Sequence, residues 1–432
     1  LQSETALNQG RILRAWAPLE AAWLLMAVEG PFIAAVIARL AEPTLNLAAF
    51  GVAFPFGMLF ESPIILIMSA STALVRDRDS LARLRRFTWA LNGAITLAML
   101  LFVLPPVFGF VTRDLMGLPQ NVARLAHGAC ALLLPWPAAI GYRRFFQGIL
   151  IRHGLTRRVA YGTTIRLGSM GGTALLLAAF TGWPGAWVGC AALSVGVVLE
   201  AAASRFWARE CLRELKTREP EGPHLTYSAI AHFYIPLAMT SILALGVNPL
   251  VSFFLARSAR PLESLAVMPV VNSFVFIFNT AGLTFQEVAI PLMDQGRRAH
   301  AALRRFATTT ALAASGVLML LAFTPLSRLW FQGVAGLTPQ LAAFAAVPVA
   351  ILFIQPALTV LLSYQRATLV VSRTTRPITW ATALEVGGIV VVLLALTRYG
   401  GFVGATVAAC ALVAGRAASG LYLLPKAWKR TD

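Results

Sequence analysis

Apolar runs long enough to cross a bilayer follow one another along almost the whole chain. That succession constrains the fold more than any motif does. A helical span needs roughly 20 apolar residues. Such runs fall at about 16–40, 47–74, 87–110, 125–150, 159–181 and 186–207, then at about 229–256, 264–293, 306–330, 341–364, 378–396 and 401–424. Only 12% of the residues are charged and 58% are apolar, against about 25% charged in a soluble domain. This balance excludes an ordinary soluble domain, and the hydrophobicity excludes a disordered chain. A transmembrane barrel would alternate over segments of ~10 residues instead of running unbroken. The expected fold class is all-α and polytopic, with twelve transmembrane helices.

The chain carries 36 Lys+Arg against 18 Asp+Glu, a formal net charge of +18. In a soluble protein that excess would point to nucleic acid. Here the positive-inside rule accounts for it. With the N-terminus inside, 27 basic residues fall on one side of the spans and seven on the other, while Arg166 and Arg416 lie within spans. That asymmetry predicts cytoplasmic N- and C-termini in a plasma or bacterial inner membrane, and no nucleic-acid partner.

The two halves repeat in parallel. Trp16-Ala-Pro-Leu19 answers Tyr234-Ile-Pro-Leu237, and Pro31 answers Pro249, at an offset of 218. Arg85-Arg86-Phe87 answers Arg304-Arg305-Phe306 at an offset of 219. Six helices are an even number of crossings, so the halves share orientation, as in one of the standard transporter plans. The most polar stretch, 208–228, separates them. The expected domains are an N-terminal six-helix bundle (1–207), a cytoplasmic linker (208–228) and a C-terminal six-helix bundle (229–432).

No GxxxxGK[ST] or HExxH sequence is present, so neither a P-loop nor a zinc-protease helix is expected. Cys130, Cys190, Cys211 and Cys410 form no metal-ligand spacing. The reading is of a protein that is not an enzyme and holds no cofactor or metal. Its chemistry should rest on ionisable groups inside spans, which are costly in hydrocarbon and mark functional sites. Glu29 precedes Gly30-Pro31 in the first span, and Glu61 precedes Ser62-Pro63 in the second. Both are candidate sites for a coupling proton or sodium ion. Glu20, nine residues before Glu29, is half a turn out of phase with it on a regular helix and is weighted lower. The second half does not repeat these acids, offering Val247, Asn248 and Thr280 in their place.

Arg166 lies well inside the fifth span, and its repeat partner is Glu385 in the eleventh. The two are expected to form a gate or a structural pair, or to pair separately within each half, unless Arg166 holds an anion. Arg416 and Glu200 are read as a similar pair. Arg143 and Arg144, with Arg166, would make an inner cavity attractive to anions. Asn248 and Asn279 complete the expected substrate-binding set, with helix-to-helix hydrogen bonding as their alternative role.

Three stretches carry a family resemblance. They are Ala49-Phe-Gly-Val-Ala-Phe-Pro-Phe-Gly-Met-Leu-Phe-Glu-Ser-Pro63 with Arg76-Asp-Arg-Asp79; Pro135 to Pro137 with Gly148-Ile-Leu-Ile-Arg-His153; and Gly400-Gly-Phe-Val-Gly-Ala-Thr406. With two parallel six-span halves, the chain resembles the multidrug/oligosaccharidyl-lipid/polysaccharide (MOP) flippase superfamily. Within it the chain most resembles the progressive ankylosis (Ank) family. The resemblance implies a V-shaped, MATE-like pair of bundles and alternating access. For the Ank family it implies export of polar organic anions of the citrate, nucleotide or pyrophosphate class. The expected partners are therefore a small, anionic solute, membrane lipid and a coupling proton or sodium ion. A proton- or sodium-coupled exporter of drug cations is the first alternative, and a lipid-linked precursor flippase is the second.

Overall fold

The protein is seen here in a computed structural model that describes residues 8–219, 224–293, 297–372, 374, 376–399 and 401–428. Residues 220–223 of the expected linker, together with Arg373, Gly400, Lys429 and Arg430, lie outside the described residues. Among the described residues, eleven stretches are helices long and apolar enough to cross a membrane, and their outer faces carry large exposed side chains such as Leu97, Leu312, Val391 and Leu421. In lipid such a surface is solvated, and each backbone group finds its partner inside its own helix. This is a multi-pass membrane protein. The expected fifth span is a helix, Thr156–Phe180, of ~37 Å at 1.5 Å per residue. Its arginines leave it outside the apolar set.

The first span is broken rather than continuous. Helix α1 (Gln9–Ala27) ends at Val28 and α2 (Glu29–Ala38) begins just before Pro31, where the missing proline N–H removes a helical hydrogen bond. The helices α3 (Pro43–Glu61) and α4 (Ile67–Leu74) likewise split the second span at Ser62-Pro63. Next come α5 (Arg78–Val103), a short α6 (Pro105–Gly109), α7 (Gln120–Leu132) and α8 (Pro135–Arg152). After these come α9 (Thr156–Phe180), α10 (Gly185–Trp207), α11 (Arg209–Thr217) and α12 (Tyr227–Ala256). The chain closes with α13 (Pro261–Met293), α14 (Arg297–Phe323), α15 (Leu326–Arg328), α16 (Pro339–Leu352), α17 (Gln355–Val371), α18 (Arg376–Tyr399) and α19 (Gly404–Trp428). Asp77 caps α5 in a capping box with Ser80, so the Arg76–Asp79 motif starts a helix. Residues 208–228, expected as plain linker, contain α11, which buries Cys211, Leu212 and Leu215.

These helices form two compact units, each of them discontinuous with the repeat boundary. One, here the N-side unit, is Val36–Ala256; the other, the C-side unit, is Leu1–Ala35 with Arg257–Asp432. This differs from the expected division at 207 and 229. The first helix of each repeat packs with the other repeat's helices. In the C-side unit the Trp16 indole donates to the Ala281 carbonyl of α13, 3.3 Å away. In the N-side unit the Tyr234 hydroxyl of α12 donates to the Pro63 carbonyl at 2.7 Å. Donors and acceptors are both 218 residues apart. The Trp16-Ala-Pro-Leu19 repeat thus carries a polar aromatic head that satisfies a carbonyl on the second helix of the opposite repeat.

Other local devices recur at an offset of 218 or 219. Wide, π-type turns occupy Phe110–Leu115 and Leu329–Val334, and each is followed by a glycine in the left-handed region, Gly117 (φ 73°) and Gly336 (φ 72°). Asn46 accepts from the Ala186 N–H at 3.0 Å to cap α10, and Ser264 accepts from the Ala405 N–H at 3.2 Å to cap α19. A Cβ at Gly196 would stand 3.1 Å from the Arg166 carbonyl, and one at Gly415 would stand 2.6 Å from the Glu385 carbonyl. Both glycines let the last two helices of their repeat approach closely. Gly196→Leu is expected to cost about 1–3 kcal/mol through overpacking, read as a lower melting temperature in detergent. Gly172→Leu, with nothing within 4 Å of its Cβ position, should leave that temperature unchanged.

Candidate functional site

Helix α8 carries Arg143 and Arg144 of the N-side unit, and its periodicity sorts them. Arg143 and Gln147, four residues apart, share a face. Both reach Glu200 on α10, which is 0% exposed. Arg143 forms a short ion pair with it, and the Gln147 amide donates at 3.0 Å. Arg166 on α9 brings its Nε to 3.5 Å from the same carboxylate. Gly162 makes room, since a Cβ there would lie 3.3 Å from Glu200. One carboxylate in hydrocarbon is thus held by two guanidiniums and an amide, the kind of dense pairing a buried charge requires.

Arg144, about 100° further round α8, points away from Glu200. Its nearest polar partner is the Met68 sulfur on α4, at 3.7 Å. It is half-buried, and among the described residues no carboxylate oxygen lies within 4.0 Å of it. Glu61, at the end of α3, is buried and accepts the Trp136 indole N–H at 2.5 Å. The fields of Arg143, Arg144 and Arg166 all reach it. Three arginines less two carboxylates leave this assembly at a formal +1. Close packing fixes it, for a Cβ at Gly148 would overlap Ser71 of α4.

The C-side unit holds a second cluster of inverted polarity. Here the carboxylate, Glu385, sits on α18. It receives Arg416 of α19 at 2.7 Å and Arg366 of α17 at 3.7 Å. Arg416 also donates to Thr359 at 2.8 Å, and the Thr359 hydroxyl lies 3.3 Å from Asn279. Of the pairings weighed from the sequence, those within each half are present: Arg166 meets Glu200 and Arg416 meets Glu385. Each of these charges meets its counterion inside its own unit, so neither needs a cross-repeat partner for neutralisation.

The remaining sequence candidates scatter. Asn248 donates to the Leu245 carbonyl of its own helix at 3.3 Å, a local role. Glu29 is half-buried at the bend of the first span, in the C-side unit, whereas Glu61 belongs to the N-side unit. Glu20, given low weight from the sequence, is the better-engaged acid. It is buried, with its two oxygens 2.7 and 2.6 Å from the hydroxyls of Thr280 and Thr284. Those hydroxyls also lie 2.6 Å from the Ile277 carbonyl and 3.0 Å from the Thr280 carbonyl. Two hydroxyl protons therefore face four acceptor contacts. The Thr280/Thr284 spacing of four was the available signal. Arg366 was also missed, although it sits 219 residues after Gln147, the repeat-equivalent contact to the buried acid.

No protein-family model matches the chain, and no curated protein matches it by sequence. Solved structures match over nearly its whole length. An inward-facing multidrug resistance transporter of the MATE family, in the MOP superfamily, matches with a TM-score of 0.77 at 14% identity, covering 95% of this chain and 94% of that one. The lipid II flippase MurJ in an inward closed conformation matches with a TM-score of 0.71 at 13% identity, covering 95% and 87%. A mutant of the Vibrio cholerae MATE transporter VcmN matches with a TM-score of 0.63 at 13% identity, covering 97% of each chain. The chain shares the fold of these MATE and MurJ structures.

Glu200→Ala is expected to be severe, because it strands two buried guanidiniums. Removing one partner of a buried ion pair costs about 3–5 kcal/mol. The folded fraction on size-exclusion chromatography should fall sharply, while Glu214→Ala, on an exposed face of α11, should leave it unchanged.

Proposed function

We propose that the protein is a secondary transporter that exports polar organic anions by alternating access, with Arg144 as the residue that meets the anion. One observation carries this reading: a half-buried guanidinium with no carboxylate oxygen within 4.0 Å among the described residues, inside an assembly of net positive charge. Arg143 and Arg166 are committed to Glu200 and act as supports that hold the local field positive. Asn248 adds neutral hydrogen-bonding capacity within the N-side unit, and Asn279 does so within the C-side unit. Counting α9 as a crossing gives twelve spans in two parallel pseudo-repeats with both termini cytoplasmic, in keeping with the basic-residue asymmetry. The sequence motifs and the cationic character favour an Ank-type cargo of the citrate, nucleotide or pyrophosphate class.

Glu61 is the proposed proton site, with Glu29 as the second. Protonating Glu61 would take the assembly from a formal +1 to +2 and strengthen its hold on an anion. Linkage is reciprocal, so anion binding would also favour protonation. The sign follows: anion affinity rises as pH falls. The likeness to a multidrug transporter supports a second reading, drug-cation export, in which Glu61 and not Arg144 faces the cargo.

A thermal-shift screen of the detergent-solubilised protein separates the two. Citrate, malate, ATP and pyrophosphate should stabilise it, by ~2.7 kcal/mol at a hundredfold excess over Kd. Arg144→Gln should abolish that gain with no loss of folded yield. Stabilisation by lipophilic cations alone would replace the anion reading.

The coupling proposal has its own check. Between about pH 8 and about pH 6 the anion Kd should fall in the unaltered protein. In Glu61→Gln it should stay flat. If Glu61→Gln retains the pH dependence and Glu29→Gln loses it, the proton site moves to the first span.

A further inference from the structure

A second cationic recess lies at the Arg-rich end of the N-side unit, about 100° round α8 from the Glu200 cluster. Its volume is about 200 Å³. Arg85 of α5, Arg205 in the last turn of α10 and Lys216 in the last turn of α11 line it, together with Trp89, Tyr142 and Phe146. None of the three cations has a carboxylate within 4.0 Å among the described residues. The acids of α11 are engaged elsewhere, Glu210 with Arg158 and Glu214 with Arg218. Leu212 and Leu215 are buried, so α11 is seated on the unit and holds Lys216 at the rim.

The rings form one continuous wall. Trp89 stacks on Tyr142 with centroids 5.0 Å apart, and Tyr142 meets Phe146 edge-on at 4.8 Å. The Arg205 guanidinium lies 5.4 Å from the Phe146 centroid, a cation–π contact that orients it. The recess therefore joins three positive heads to an apolar, aromatic wall at the level where spans leave the bilayer. Such amphipathic rings favour the headgroup region.

We propose that this recess binds the phosphate headgroup of an anionic membrane phospholipid. The charge calls for a phosphate, and the apolar wall calls for the glycerol and the first acyl carbons behind it. The volume equals roughly seven waters of liquid, room for a glycerophosphate group and not for a whole lipid. Headgroups lie at this depth permanently, and cytoplasmic leaflets are rich in anionic lipid. A bound headgroup would tie α5, α8, α10 and α11 together. The inference rests on the membrane placement and not on the identity of the cargo.

Native mass spectrometry of the full chain in neutral detergent tests it, with dioleoylphosphatidylglycerol, dioleoylphosphatidylcholine, glycerol 3-phosphate and inorganic phosphate as probes. Phosphatidylglycerol should bind in preference to phosphatidylcholine. Each removed cation should weaken binding by about fivefold, so R85Q with K216Q together should weaken it by about 25-fold. Both residues are exposed, and the double variant should keep the lipid-free melting temperature. R213Q, also on α11 but outside the recess, should change affinity less than about twofold. Equal binding of phosphatidylcholine would overturn the proposal. So would undiminished binding by the double variant, or an equal loss in R213Q. Glycerol 3-phosphate or inorganic phosphate binding as tightly as the lipid would make the recess a soluble-phosphate site instead.

Discussion

A carboxylate with no water and no room to move, Glu200, sets the terms for the N-side unit. In hydrocarbon a charge survives only if the protein supplies its whole solvation. Arg143, Gln147 and Arg166 do so from α8 and α9, and Gly162 and Gly196 bring the backbones near enough for those contacts. The α8–α9–α10 packing follows from that need. So does the orientation of Arg144, since α8 cannot turn both adjacent arginines towards one acid. The cation left over is the one that gives the unit its proposed chemistry.

The C-side unit reaches the same end by another distribution. Its acid moves from the sixth helix of the repeat to the fifth, and its arginines move to the fourth and sixth. Each unit keeps two guanidiniums on one carboxylate. Charge balance has been kept while residue identity at each repeat position has not. For this reason a position-by-position comparison of the halves misleads. Repeat-equivalent depth says nothing about which way round a helix a side chain points.

Exchange of the first helices follows a related logic. Tyr234 donates to the Pro63 carbonyl at the break in the second span, and Trp16 makes the matching contact at Ala281. The contacts stand 218 residues apart, the spacing of the Trp16-Ala-Pro-Leu19 repeat. A sequence comparison sees the motif, but the acceptor carbonyls carry no sequence signal at all.

The sequence by itself determined the helical membrane class, the span order and the basic-residue asymmetry, because hydropathy and charge are local sums over about 20 residues. It also marked Arg143, Arg144, Arg166 and Glu61 as residues that a bilayer would not tolerate without cause. Tertiary structure decided the rest. It chose Glu200 over Glu385 as the partner of Arg166, moved α1 and α12 across the repeat boundary and brought Glu20 between two threonines. It also folded 209–217 into a helix at the rim of a cationic recess. Each of those outcomes depends on the azimuth of a side chain or the break point of a helix. Both are set by packing between segments far apart in the chain, which no local pattern records.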